Sequence, residues 1–172
     1  MCLHAVAAII KIMAERQLVV FSLAEEFCAL DLASVREILP TAELSAPPGM
    51  PELLAGFLNL GGTAVPVLRL GRLFQFPAKE IGLYEHLILL RARRPLALLV
   101  DRVDEVRTCS EDALRPVGDK NSFNDCTQSQ LTHKDRTIHV LSVDRLLLKE
   151  EEARLSELRD LEQKRLRALA VT

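Results

Sequence analysis

The sequence predicts an all-β protein of the barrel type that ends in one long helix. Short runs rich in Val, Leu, Ile and Phe recur between turn residues from 17 to 141, a pattern that is typical of small barrels. Residues 144–170 contain no Gly or Pro and are dominated by Leu, Glu, Arg and Ala, which favour a helix. A β-rich body with a helical tail follows from these two observations.

Composition limits the classes of function that this chain can have. The 172 residues are 49% hydrophobic and 27% charged, which indicates one folded domain or two small intertwined ones. The net charge is −2, only 4% of residues are aromatic, and Trp is absent. Because nucleic-acid binding needs a basic stripe and stacking aromatics, we expect no nucleic-acid partner, and a nucleic-acid-binding barrel is the less favoured alternative.

The first residues, 1–14, are interpreted as a disordered extension or as an over-extended gene start. The apolar run 2–10 is too short to span a bilayer, and no basic residue precedes it as in a signal peptide. Translation begins at Met1 or at Met13. We expect a cytoplasmic protein without direct membrane insertion.

A β-hairpin is predicted at the centre of the chain. The apolar runs 57–60 and 63–68 flank Gly61 and Gly62, and primed hairpin turns need the positive φ that glycine adopts without strain. Pro66 cannot donate to a ladder, so its strand should lie at a sheet edge or bend there. Asn59 needs hydrogen-bond partners if it is buried.

Other local elements follow from turn and capping signals. The capping-box spacing of Ser34 and Glu37 predicts a single helical turn, and the polar residues 112–127 predict a long mobile loop. Further hairpins are predicted at 17–32, 87–103 and 131–141. A short helix is predicted at 70–74.

The C-terminal segment 149–172 is predicted to be an amphipathic helix. Its leucines recur at mostly helical spacing, so one face needs a cover. That cover is either the body of the protein or another chain. We expect the helix to be dispensable for folding, because the β-rich body can close a core of its own.

No pattern of catalytic or metal-binding residues is found in the sequence. The four histidines lack metal-ligand spacing, and no glycine-rich phosphate loop is present. The dispersed Cys2, Cys28, Cys109 and Cys126 are expected to be reduced thiols rather than disulfides or zinc ligands. We therefore expect no catalytic residue, no cofactor and no metal, and a hydrolase is unsupported.

Several motifs together resemble one protein family. The stretch 56–70 reads Gly-Phe-Leu-Asn-Leu-Gly-Gly-Thr-Ala-Val-Pro-Val-Leu-Arg-Leu and is similar to the signature hairpin of the CheW-like domain of bacterial chemotaxis coupling proteins. Residues 35–38 resemble the family's V-x-E-I element, and 48–51 resemble the loop that leads into the signature hairpin. Residues 100–106 resemble the family's V-D-x-V-x-x-V strand. The resemblance places a CheW-like domain at 15–148.

The resemblance implies two interlocked five-stranded barrels without enzymatic activity. It also implies a scaffold that joins the cytoplasmic tip of a chemoreceptor to the regulatory domain of a CheA-type histidine kinase. The residues expected to face these partners or to set the shape of the binding surface are Val35, Glu37, Ile38, Gly56, Asn59, Gly61 and Gly62.

One departure from the family bears on function. Gly61 occupies the arginine position of the family's Asn-Leu-Arg-Gly element, and Arg69 stands where the family has an acidic residue. Since that arginine serves partner binding in the family, the resemblance implies weakened receptor binding here. The alternative function is therefore an adaptor of a non-chemotactic kinase pathway, such as one linked to pili or other motility.

Overall fold

The computed structural model describes residues 14–77, 79–117, 126–147 and 149–171. The predicted N-terminal extension lies outside the described residues except for Ala14, and so does the 118–125 part of the predicted mobile loop.

The described chain forms eleven strands in two sheets. The first sheet contains β1 (Glu15–Leu23), β2 (Glu26–Asp31), β8 (Arg102–Ser110), β9 (Arg115–Pro116), β10 (Thr127–His133) and β11 (Arg136–Leu141), in the order β8-β1-β2-β11-β10-β9. The second contains β3 (Val35–Pro40), β4 (Leu54–Leu60), β5 (Thr63–Arg69), β6 (His86–Leu90) and β7 (Ala97–Val100), in the order β3-β6-β7-β5-β4.

The first sheet closes into a barrel because its two outer strands are parts of one bent strand. β8 pairs with β1, and β9 pairs with β10. Only Leu114 and the 3-10 turn Glu111–Ala113 separate β8 from β9. Counted in this way, the first barrel has the five strands that the resemblance implies.

The second sheet closes through a single bridge. Ser45 follows β3 and exchanges two backbone hydrogen bonds with Phe57 of β4, with N···O distances of 2.8 and 2.9 Å. The segment after β3 therefore reaches the other end of the sheet and makes a second five-stranded barrel. Because its strands lie between β2 and β8 in the chain, the two barrels interlock.

Strand alternation distributes the apolar side chains over three cores. In β1, Leu18 and Val20 lie inside the first barrel. Val19 and Phe21 lie in a larger core that both barrels share, the central core. Leu87 and Leu89 contribute to the core of the second barrel. Burial on both faces explains why the strands read as nearly continuous apolar runs.

The central hairpin is confirmed, and its turn has the predicted geometry. Gly61 and Gly62 connect β4 to β5 with φ of +58° and +89°. β5 lies between β7 and β4, so the edge position considered for Pro66 is wrong. Proline is tolerated because Phe57, its register partner, bonds to Ser45 instead, and pairing with β7 begins only at Val67.

The other hairpins and the short helix α1 (Leu70–Leu73) are confirmed. The predicted capping box is wrong, because a 3-10 turn occupies Leu32–Ser34 and Glu37 lies within β3. Pairing of β3 with β6 satisfies the backbone there, so a helical turn is not needed.

The C-terminal helix α2 (Lys149–Ala170) folds back on the body. It begins later than residue 144 because a 3-10 turn occupies Val143–Arg145. Leu158 is 8% exposed and belongs to the central core, and Leu155 and Leu166 pack against that core. Folding back is thus the alternative that the structure shows, and the burial of Leu158 argues against a dispensable helix.

Candidate protein-binding surfaces

The first candidate surface is β3, the terminal strand of the second sheet. Val35 is 5% exposed and packs in the central core, whereas Glu37 is exposed and Ile38 is half-buried against that core. A bulge between Val35 and Glu37 inserts Arg36, so that two consecutive side chains face solvent. Hence β3 presents the carboxylate of Glu37 next to the half-buried Ile38, while Val35 packs in the core on the other face of the strand.

The second candidate surface is the tip of the β4–β5 hairpin. Asn59 is exposed, and its Oδ1 accepts a hydrogen bond of 2.9 Å from the N–H of Gly62. A Cβ placed on Gly61 or Gly62 would meet nothing within 4 Å. Asn59 therefore fixes the turn rather than filling a core, and the tip is open to side chains of a partner.

Gly56 lies apart from both surfaces and is buried at the barrel closure. Its φ is +152°, and a Cβ there would lie 2.7 Å from the carbonyl oxygen of Ser45 and 2.9 Å from Cβ of Leu44. Such approaches leave no room for a side chain. Gly56 accordingly contributes to shape and does not face a partner.

Hydrogen bonds between helix α2 and the hairpin tip, which were not predicted, act as a clamp on the turn. Nε2 of Gln163 donates to the carbonyl oxygen of Gly62 at 2.8 Å, and its Oε1 accepts from the N–H of Ala64 at 2.9 Å. The neighbouring Glu162 is 3% exposed and accepts a hydrogen bond of 2.6 Å from the hydroxyl of Ser45. Helix α2 is thus bonded both to the hairpin and to the closing segment of the second barrel.

The described part of the chain offers little for chemistry. No group of three or more His, Cys, Asp or Glu side chains there could hold a metal ion. Cys28 and Cys126 are buried and Cys109 is half-buried. Burial, reinforced by the charge of Glu26, raises the pKa of Cys28 to about 12, so this thiol stays protonated near neutral pH and is a poor nucleophile.

Membrane crossing by a helix finds no support either. Among the residues that the structure describes, no helix combines the length and the apolar character needed to cross a bilayer.

Comparisons with known proteins identify the family. A family model for the CheW-like domain matches residues 17–151. The probable chemotaxis protein CheW of Rhizobium etli is 28% identical over 109 residues, covering 63% of this chain and 70% of that protein. The chemotaxis protein CheW of Rhizobium meliloti is 26% identical over 105 residues, covering 60% and 68%.

A solved structure agrees with the two-barrel fold. The crystal structure of the scaffolding protein TtCheW from Thermoanaerobacter tengcongensis is similar with a TM-score of 0.71 and 26% identity. The similarity covers 77% of this chain and 88% of the other. With a family match across both barrels, the chain belongs to the CheW-like domain family of non-enzymatic chemotaxis adaptors.

Proposed function

We propose that this protein joins chemoreceptors to a CheA-type histidine kinase in the cytoplasm, as a scaffold without catalysis. Its partners are the regulatory domain of the kinase and the cytoplasmic tip of the receptor. The observation that carries the proposal is the family match over residues 17–151, which spans both interlocked barrels. The exposed β3 and the open hairpin tip add surfaces on which two partners bind at once.

Within this proposal the seven predicted residues divide into two roles. Glu37, Ile38 and Asn59 contact partners, since each is at least partly exposed. Gly61 and Gly62 hold the hairpin tip in its turn, and two buried residues, Val35 and Gly56, keep the strands in place.

Kinase binding is tested by calorimetry with the regulatory domain of the cognate kinase. We expect micromolar to submicromolar affinity, on the order of −8 to −9 kcal/mol, as for a transient interface of standard size. If calorimetry shows no heat and no binding at about 100 μM, roughly the −5.5 kcal/mol level, the proposed coupling to the kinase is refuted.

The contribution of β3 is tested with a charge-removing variant. Glu37→Gln should weaken binding to one of the two partners roughly tenfold or more, because charge-assisted hydrogen bonds to a partner are lost. Glu43→Gln is the matched control, since Glu43 is also an exposed acid in the segment after β3. Equal affinities for the two variants would show that the Glu37 charge contacts neither partner.

Receptor binding is tested at Gly61. The missing arginine removes a charge-assisted contact, so native receptor affinity should be about ten- to a hundredfold below that of Gly61→Arg. The positive φ costs an arginine roughly 1–2 kcal/mol, although its side chain would meet open space. The comparison therefore uses a preparation whose melting temperature is close to native.

Gly49→Arg controls for added charge, because Gly49 is exposed with φ of +79° and has open space around it. If folded Gly61→Arg binds the receptor tip no better than Gly49→Arg does, the missing arginine does not limit coupling.

A further inference from the structure

The side of helix α2 that faces away from the body carries a regular row of exposed side chains. We call this row the outward stripe; its members are Arg154, Glu157, Leu161, Lys164, Ala168 and Val171. They follow one another at alternate spacings of three and four residues, which keeps side chains on one side of a helix. Leu158 and Glu162 point to the body instead.

The apolar members of the stripe are well exposed. Leu161 is 59% exposed at the middle of the stripe, and Val171 is 88% exposed just beyond the end of the helix. Covering them against another surface would remove apolar area from water, which favours association. Single exposed apolar residues are common on protein surfaces, so it is the charges that indicate which partner fits.

The exposed charges of α2 change sign at Leu161. Glu157 and Asp160 precede it, whereas Lys164 and Arg167 follow it, and no acid comes after these two bases in the sequence. The acids thus lie on one side of Leu161 and the bases on the other. A surface with this arrangement is complementary to a copy of itself that runs in the opposite direction.

The charges nearest to Leu161 are available to a partner. Lys164 forms no ion pair with the residues that the structure describes. Glu157 pairs with Arg154 at 3.3 Å, but their side chains are 69% and 60% exposed. Exposed pairs of this kind contribute little and exchange partners at little cost.

Helix geometry brings opposite charges together in an antiparallel pair. A rise of about 1.5 Å per residue places Glu157 about 6 Å before Leu161 along the axis and Lys164 about 4.5 Å after it. When two copies of α2 cross at Leu161 in opposite directions, Glu157 of each copy therefore lies across from Lys164 of the other. A parallel pair would place like charges opposite each other.

We propose that this protein associates with a second copy of itself through antiparallel contact of the two outward stripes. The contact is two-fold symmetric, as in most homodimers, so the pair of Glu157 and Lys164 forms twice and the two Leu161 side chains meet at the axis. The stripe lies on the other side of α2 from Gln163, which holds the hairpin tip. Self-association leaves that tip open and is independent of the coupling function proposed above.

We expect a weak dimer. Two or three turns of helix bury much less than the roughly 800 Å² per partner of a standard interface, so the dissociation constant should be about 0.1–1 mM. Sedimentation equilibrium of the full chain at low ionic strength, from about 0.02 to 1 mM protein, measures it. Added salt should weaken the dimer, because the paired charges are exposed.

Single charge reversals test the contact. Glu157→Lys and Lys164→Glu should each weaken the dimer at least about tenfold, because two attractions become two repulsions. Glu25→Lys and Lys134→Glu are the matched controls, since they make the same changes at exposed positions outside α2. Both controls should dimerise as the native chain does.

Two combinations test the antiparallel geometry. The double variant Glu157→Lys/Lys164→Glu has opposite charges across the contact again and should recover native affinity. An equimolar mixture of the two single variants should also associate with native affinity, because each charge then meets an opposite one. All variants are compared at melting temperatures close to native.

Any of the following outcomes would overturn the proposal. The native chain stays monomeric up to about 1 mM, which is the weakest affinity expected. The folded single reversals dimerise as the native chain does, or weaken the dimer no more than their controls. The double variant or the mixture fails to associate. Because neither kinase nor receptor is present, these outcomes leave the coupling function untouched.

Discussion

Gly56→Ala should strongly destabilise the protein, because it blocks closure of the second barrel. The added Cβ lies 2.7 Å from the carbonyl oxygen of Ser45, so the backbone must shift and both hydrogen bonds between Ser45 and Phe57 are strained. A sparsely populated φ costs a non-glycine residue roughly 1–3 kcal/mol, and each lost hydrogen bond costs about 1 kcal/mol. The free energy of unfolding should fall by about 3–5 kcal/mol, a large share of a typical 5–15 kcal/mol.

Urea denaturation followed by circular dichroism measures this change. Gly71→Ala is the matched control, since its Cβ would meet Phe76 at an ordinary 3.8 Å, and it should alter stability by no more than about 0.5 kcal/mol. If Gly56→Ala is as stable as this control, the argument that barrel closure excludes a side chain is refuted.

Three further predictions concern helix α2 and pH. Gln163→Ala should cost about 1–2 kcal/mol and speed hydrogen exchange in the hairpin that contains Gly62; unchanged exchange would contradict the clamp. Deleting 149–172 should cost at least about 1.5–3 kcal/mol from the loss of the buried Leu158 alone, and an unchanged melting temperature would refute this. Burial lowers the pKa of His139, opposed by Glu26, so the folded state resists the proton that the unfolded state binds. Stability should therefore fall as pH drops below about 6.5, and less so in His139→Gln; equal pH slopes would contradict the assignment.

The hairpins were predictable from sequence because both strands and the turn are close in the chain. Gly61 and Gly62 predict a tight turn, and the apolar runs on either side of them predict the two strands. Closure of the second barrel was not predictable. Ser45 lies in a proline-rich stretch without a strand pattern, and it pairs with a strand that starts only at Leu54.

The candidate site shows the same division. Glu37 and Asn59 were found as motif residues, and their exposure follows from a bulge and from a turn that the motif itself encodes. By contrast, the bond from Gln163 to Gly62 joins residues 101 positions apart. Glu85 lies in a loop without a recognisable motif in the sequence, and only the tertiary fold buries it.

Interlocking of the barrels also dictates an order of events during synthesis. All strands of the second barrel lie within 35–100, so this barrel can close as soon as that stretch has left the ribosome. The hairpin of β1 and β2 is made first but pairs with β8 and β11, which are translated only after the whole second barrel. The outer edges of β1 and β2 therefore stay unpaired until the later strands emerge, and such long-range pairing is slow. If residue 100 has left the ribosome but β8 and β11 have not, the second barrel can close while the hairpin of β1 and β2 still lacks its partner strands, and chaperones are suited to bind such a form.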